Sequence, residues 1–129
     1  MSNYVDDFNN TAIDLCNNVA LVCPTSIIGR NITDIRKILR GKINKNKFID
    51  MFVLHVLEDK DEIMNGNEEY FLKKSYEKEV GSEHTSSIFE FKDIWGKLDR
   101  NSKNIIIQYM QVLCLLAEGY FMEQMKNMN

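Results

Sequence analysis

Apolar residues recur along most of this chain at alternating spacings of four and three, which is the period of one face of an α-helix. In the first such stretch the repeat consists of Phe8, Ala12, Leu15, Val19 and Val22. Pro24 follows, and a proline removes one helical hydrogen-bond donor. The pattern therefore predicts a first helix that ends before Pro24.

Two further helices are predicted in the next part of the chain. Thr25 or Ser26 can cap the start of the second helix, which is expected to end near Gly41. Its inner face is predicted to consist of Ile28, Ile32, Ile35 and Leu39. The third helix is predicted over about residues 45–57, with the following side chains turned inward: Phe48, Met51, Phe52 and Val56.

The longest apolar repeat lies near the C-terminal end. Asp99, Asn101 or Ser102 is predicted to cap a helix that runs to about Lys126, a length of about 37 Å. Its apolar stripe is predicted to contain Ile106, Tyr109, Met110, Leu113, Leu116, Ala117, Tyr120 and Phe121. A helix this apolar needs cover from other helices, and Trp95 just before it is expected to be a core anchor.

The fold class follows from these repeats and from the composition. No segment alternates between apolar and polar residues for long enough to predict a strand. The chain has 129 residues, 44% hydrophobic and 27% charged, with a single proline. It is therefore predicted to be all-α, a single-domain helical bundle of about five to six helices over residues 1–129 with a long C-terminal helix. Residues 1–5 are expected to be flexible and residues 76–87 to be a mobile loop.

Cellular location is addressed by hydropathy and by cysteine usage. Gln108, Gln111 and Glu118 interrupt the most apolar helix, so no run is expected to cross a membrane. The chain opens without a basic and apolar leader, and its three cysteines are an odd number in apolar surroundings. We expect a soluble protein that is not secreted, has no membrane partner, and keeps its cysteines as buried thiols.

Candidate catalytic and metal-binding residues are few. Cys-x-x-Cys spacing is absent, and the one ligand-type helical neighbour of a histidine is Asp59, four residues after His55. Cys114 with His55 is the single nucleophile and base combination worth naming. Neither residue adjoins a glycine-rich turn, and no phosphate-cradling motif occurs. We expect no enzyme activity, no metal and no cofactor.

The end of the last helix is the leading candidate for a binding surface. Its apolar residues extend beyond what a bundle of this length covers: Tyr120, Phe121, Met122 and Met125. Exposed aromatic and methionine side chains are typical of contacts with other proteins. The leading hypothesis is a non-enzymatic interaction or scaffold protein that binds a protein partner or forms a homo-oligomer through these residues.

A basic stretch is the alternative surface. It contains Arg36, Lys37, Arg40, Lys42, Lys45 and Lys47. An acidic stretch follows it, with Glu58, Asp59, Asp61, Glu62, Glu68 and Glu69. The basic residues could bind nucleic-acid phosphates, the basic and acidic stretches of neighbouring copies could meet head to tail, or the basic stretch could be an ordinary solvated surface.

Two stretches carry a family resemblance: KFIDMFVLHVLEDKDEIMNGNEEYFL at residues 47–72 and FKDIWGKLDRNSKNIIIQYMQVLCLLAE at residues 91–118. Together they are similar to small uncharacterised proteins of large cytoplasmic DNA viruses that infect amoebae and algae. Both stretches lie within residues 47–118, which make up a little over half of the chain. It implies a viral protein in the host cytoplasm, in a viral factory or in the virion, and it implies no particular activity.

Overall fold

The computed structural model describes residues 3–74 and 88–127, which form helices and turns and contain no strand. The α-helices are α1 (Tyr4–Val22), α2 (Ile27–Arg30), α3 (Ile32–Arg40), α4 (Lys47–His55), α5 (Lys60–Met64), α6 (Glu68–Lys73) and α7 (Arg100–Asn127). Short 3-10 turns lie at Leu57–Asp59 and Trp95–Lys97. The all-α prediction is confirmed, with seven α-helices in the described ranges where five to six were predicted. The loop predicted at residues 76–87 lies outside the described residues.

The first helix begins earlier than expected. The Asn3 side chain accepts a hydrogen bond from the backbone N–H of Asp6 at 3.2 Å and caps α1. Tyr4 and Val5, in the segment expected to be flexible, are helical and pack against the core. Val22 was predicted to face inward but is 46% exposed, because α1 ends there and no later turn covers it.

The predicted second helix is divided into α2 and α3 at Asn31. Of the two predicted caps, Thr25 and Ser26, it is Ser26 that caps α2, since its hydroxyl accepts from the N–H of Gly29 at 3.0 Å. The turn before α2 is tight, and a Cβ atom on Gly29 would lie 2.5 Å from the carbonyl oxygens of Cys23 and Pro24. Glycine is therefore required at this position by the close approach of the backbone.

α7 runs antiparallel to α1 and contributes to the centre of the core. The Tyr4 ring at the start of α1 lies against Gly119, and the Asn18 amide near its end donates to the Tyr109 hydroxyl at 3.4 Å. The α7 side chains in the core are Ile106, Met110, Leu113, Cys114 and Ala117. Tyr109, Leu116 and Tyr120 are half-buried at its edge.

Two aromatic groups join helices that are distant in sequence. Phe52 of α4 makes edge-to-face contacts with Phe8 at 5.2 Å and with Phe89 at 5.1 Å between ring centroids. Trp95 is 1% exposed and stacks on Phe71 at 4.9 Å, which confirms its expected role as a core anchor. Aromatic contacts of this kind contribute about 0.5–1.5 kcal/mol beyond the area that they bury.

Candidate functional site

The last two turns of α7 project beyond the helices that cover the rest of it. α1 begins beside Gly119, and each of residues 121–127 is exposed. Three of these exposed side chains are large and apolar: Phe121 at 41%, Met122 at 61% and Met125 at 51%. We call these three residues the end patch.

Tyr120 was predicted to bind a partner together with the end patch, but the structure holds it differently. Its hydroxyl donates to Oδ1 of Asp50 in α4 at 2.7 Å, and its ring packs at the edge of the core. Burial, followed by the hydrogen bond to Asp50, raises the pKa of Tyr120 to about 12. Tyr120 thus joins α7 to α4, whereas the end patch faces solvent.

The outer face of α7 carries further exposed apolar residues that sequence reasoning missed. Val112 is 44% exposed and Leu115 is 53% exposed. Together with Met122 they occupy positions spaced by three and seven along the helix, on the side opposite the core. The sequence contained a signal for this exposed apolar surface, because these three residues are apolar but do not belong to the stripe predicted to face the core.

Two charged residues of α7 are paired with residues of other helices. Lys103 lies 3.9 Å from Glu68, and the Lys60 ammonium donates to Glu118.

Among the helices in the described residues, α7 is long and apolar enough to cross a membrane. Within its most apolar window, 28% of the residues are buried. An apolar core helix meets the same criteria, so this observation alone assigns no location.

The basic residues predicted as an alternative surface are distributed over three places. Arg36, Lys37 and Arg40 line a depression of about 460 Å³ on α3, together with Thr33 and Gly41. Lys42 is exposed in the turn after α3. Lys45 lies 3.9 Å from Asp6, and Lys47 is the first residue of α4. We call Thr33, Arg36, Lys37 and Arg40 the basic face of α3.

Part of the acidic stretch is paired with cations of the same molecule. Glu68 accepts a hydrogen bond from Arg100 at 3.0 Å, and this bond lowers the pKa of Glu68. Asp59 lies 3.1 Å from Lys74. These acids pair with cations that are distant in sequence, so their charge is less available to the basic face of a neighbouring copy.

The candidate nucleophile lies in an environment that disfavours the reactive thiolate. Cys114 is fully buried, and burial raises its pKa to about 12. The pKa of the buried Cys16 is raised to about 12 for the same reason. At neutral pH both side chains are therefore thiols, which are poor nucleophiles. Cys16 and Cys114 are buried as predicted, whereas Cys23 is only half-buried.

Within residues 3–74 and 88–127, no group of three or more His, Cys, Asp or Glu side chains could hold a metal ion. A depression of about 700 Å³ lies between the turn after α1 and residues 90–97. Arg30, Glu90, Asp93 and Lys97 line it together with apolar side chains. Its charges are of both signs, so they do not select one class of ligand.

Comparisons of this chain with protein-family models, with curated proteins and with solved structures find no match. The viral family, the location in host cytoplasm or viral factory and the packaging in a virion therefore stay predictions.

Proposed function

We propose that this chain is a non-enzymatic helical-bundle protein that associates with a second copy of itself through the end patch of α7. The supporting observation is the exposure of Phe121, Met122 and Met125 on two helical turns that extend past the start of α1. Large apolar side chains clustered on a monomer surface are typical of protein contacts. Methionine adapts its shape to a partner, which favours such a contact.

The charges near the end patch are compatible with a second copy as the partner. From residue 119 to residue 127 the charged residues are Glu123 and Lys126, one of each sign. A two-fold contact brings the same surface of both copies together, so a strongly charged patch would repel itself. This segment has no net charge and avoids that repulsion.

The expected association is weak, and its strength follows from the size of the patch. Full burial of one large apolar side chain contributes roughly 1.5–3 kcal/mol. Six such side chains in two copies, each about half exposed at the start, contribute on the order of 5–9 kcal/mol. Loss of translational and rotational freedom costs about 4–15 kcal/mol. Val112 and Leu115 would have to add contact area for a stable dimer.

Sedimentation velocity over a range from micromolar to near-millimolar protein tests the proposal. The wild-type chain is expected to shift from monomer to dimer as concentration rises. The double variant Phe121→Asp with Met125→Asp is expected to stay monomeric and to keep the helical circular dichroism of the wild type, because both residues are exposed.

A matched control replaces two exposed apolar residues away from the end patch, Leu21→Asp with Leu54→Asp, which are 81% and 69% exposed. This variant is expected to dimerise like the wild type. A wild-type chain that is monomeric at every concentration would refute the proposal. Loss of helix in the end-patch variant, or equal loss of dimer in the control, would also contradict it.

A further inference from the structure

The chain segment around α3 has an unusual run of like charge. Residues 35–49, between Asp34 and Asp50, contain six lysines and arginines and no acidic residue. The full chain has a net charge of −3, so the positive charge of this segment opposes that of the molecule as a whole. A positive region on an acidic protein attracts anionic partners locally.

Helix geometry places the cations of α3 on one side. Successive residues of an α-helix are rotated by about 100°, so Arg36 lies about 40° from Arg40 on one side. On the other side, Thr33 and Lys37 lie about 20° and about 60° from Arg40. These four residues line the same depression on α3. The basic face therefore presents three cations and one hydroxyl donor to a single ligand.

The charges of this face are available to an external ligand. Lys37 and Arg40 are exposed, and neither makes an ion pair with any residue in the described part of the chain. The Arg36 Nε atom donates to Asn17 Oδ1 at 2.8 Å, which fixes the guanidinium against α1. Arginine has five N–H donors, so this bond leaves the other guanidinium donors of Arg36 for a ligand.

We propose that the basic face of α3 binds phosphate groups of a nucleic-acid backbone. Arginine matches phosphate geometry through paired N–H donors, and lysine adds a point charge. The face has no recognisable base-reading motif, so binding is expected to be independent of sequence. This site is separate from the end patch and does not depend on self-association.

The placement of the exposed apolar residue of α3 favours nucleic acid over an anionic membrane as the ligand of the basic face. A helix that binds a bilayer surface turns its apolar residues toward the lipid beside its cations. Ile38 is 54% exposed but lies about 160° around the helix from Arg36 and from Arg40. A flat surface that contacts the basic face would therefore leave Ile38 outside the contact.

Fluorescence anisotropy with labelled DNA of mixed sequence, single-stranded and duplex, tests the proposal at several salt concentrations. The wild type is expected to bind at low salt and to lose affinity steeply as salt rises. The variant Lys37→Gln with Arg40→Gln is expected to bind about tenfold more weakly at low salt. For duplex DNA, its plot of log affinity against log salt is expected to be shallower by about 1.8, because two phosphate contacts are lost.

The matched control is Lys73→Gln with Lys97→Gln, which removes two exposed cations outside the basic face. It is expected to keep the affinity and the salt dependence of the wild type. No DNA binding at low salt, or an equal loss in the control, would overturn the proposal. Two further ligands, inorganic phosphate and phosphatidylserine vesicles, distinguish the other sources of phosphate. Displacement of DNA by inorganic phosphate at equal phosphate concentration would overturn the proposal. Binding to the vesicles without binding to DNA would also overturn it.

Discussion

The buried part of α7 and its projecting end differ in how they are covered, although both contain large apolar side chains. At the beginning, Asp99 caps the helix, and Arg100 and Lys103 lie beside Glu68. At the other end, residues 121–127 are all exposed. Met110 is fully buried, whereas Met125 has the same side chain and is 51% exposed. The difference lies in the neighbours, because α1 covers the helix only as far as Gly119.

This comparison separates residues that stabilise the fold from residues that are available for binding. A buried apolar side chain contributes to folding through its contacts, whereas an exposed one contributes only when a partner covers it. Amino-acid type alone does not distinguish the two cases. Substitutions in the buried part of α7 and at its projecting end are therefore expected to differ in their effect on stability.

The first prediction compares two methionines on the same helix. Met110→Ala is expected to lower the free energy of unfolding by about 2–5 kcal/mol, because it leaves a cavity in the core. Met125→Ala is expected to change it by less than about 0.5 kcal/mol. Urea denaturation of dilute protein, where the monomer dominates, measures both. A large loss of stability in Met125→Ala would mean that the end patch belongs to the core of the monomer.

The second prediction concerns the cap of α7. The Asp99 carboxylate accepts a hydrogen bond from the backbone N–H of Ser102 at 2.7 Å, and this bond lowers the pKa of Asp99. Asp99→Ala is expected to lower the midpoint of unfolding measurably, and Asp99→Asn much less, because asparagine can also cap. Thermal or urea unfolding at neutral pH measures the loss, with Asp93→Ala as an exposed control.

The pH dependence of the same cap has a definite sign. Because the folded-state pKa of Asp99 lies below its ordinary value of 3.8, the cap contributes its full stability above that value. The contribution is lost as pH falls below 3.8 and through the folded-state pKa. Asp99→Asn does not titrate, so its stability relative to the wild type is expected to rise in acid. An unchanged difference between the two proteins would contradict this role of the carboxylate.

The third and smallest prediction concerns the contact between α7 and α4. Tyr120→Phe removes the hydrogen bond to Asp50 and is expected to cost about 0.5–1 kcal/mol. Since the pKa of Tyr120 is raised from 10 to about 12, the unfolded chain loses the tyrosine proton first as pH rises. The advantage of the wild type over Tyr120→Phe is therefore expected below pH 10 and should shrink toward pH 12. Urea denaturation at both ends of this range measures it.

Much of the helical structure could be predicted because its signals are local. The apolar repeat identified Phe8, Ala12, Leu15 and Val19, and all four are buried. The hydrogen bonds of the Ser26 and Asp99 caps join residues three positions apart, and each residue was one of the two or three caps predicted for its helix. The break at Asn31 was missed, because the apolar repeat continues across it from Ile28 to Ile35.

The surfaces were harder to predict because they depend on contacts between distant parts of the chain. Tyr120 and Phe121 are adjacent and both aromatic, yet the Tyr120 hydroxyl donates to Asp50 of α4 whereas Phe121 is 41% exposed. The ion pairs of the acidic stretch were not predicted, because Arg100 and Lys103 pair with Glu68 from more than thirty residues away in the sequence. The basic face could be predicted as a cluster, although its link to α1 through Asn17 could not.

The uneven burial of the three cysteines allows selective labelling of the unmodified chain. Cys16 and Cys114 are buried thiols with raised pKa values, whereas Cys23 lies at the accessible turn after α1. A maleimide dye is therefore expected to attach at Cys23. The nineteen residues of α1 place this turn about 28 Å from Tyr4, which lies beside the start of the projecting end of α7. A fluorophore there would report on the proposed self-association without occupying the end patch.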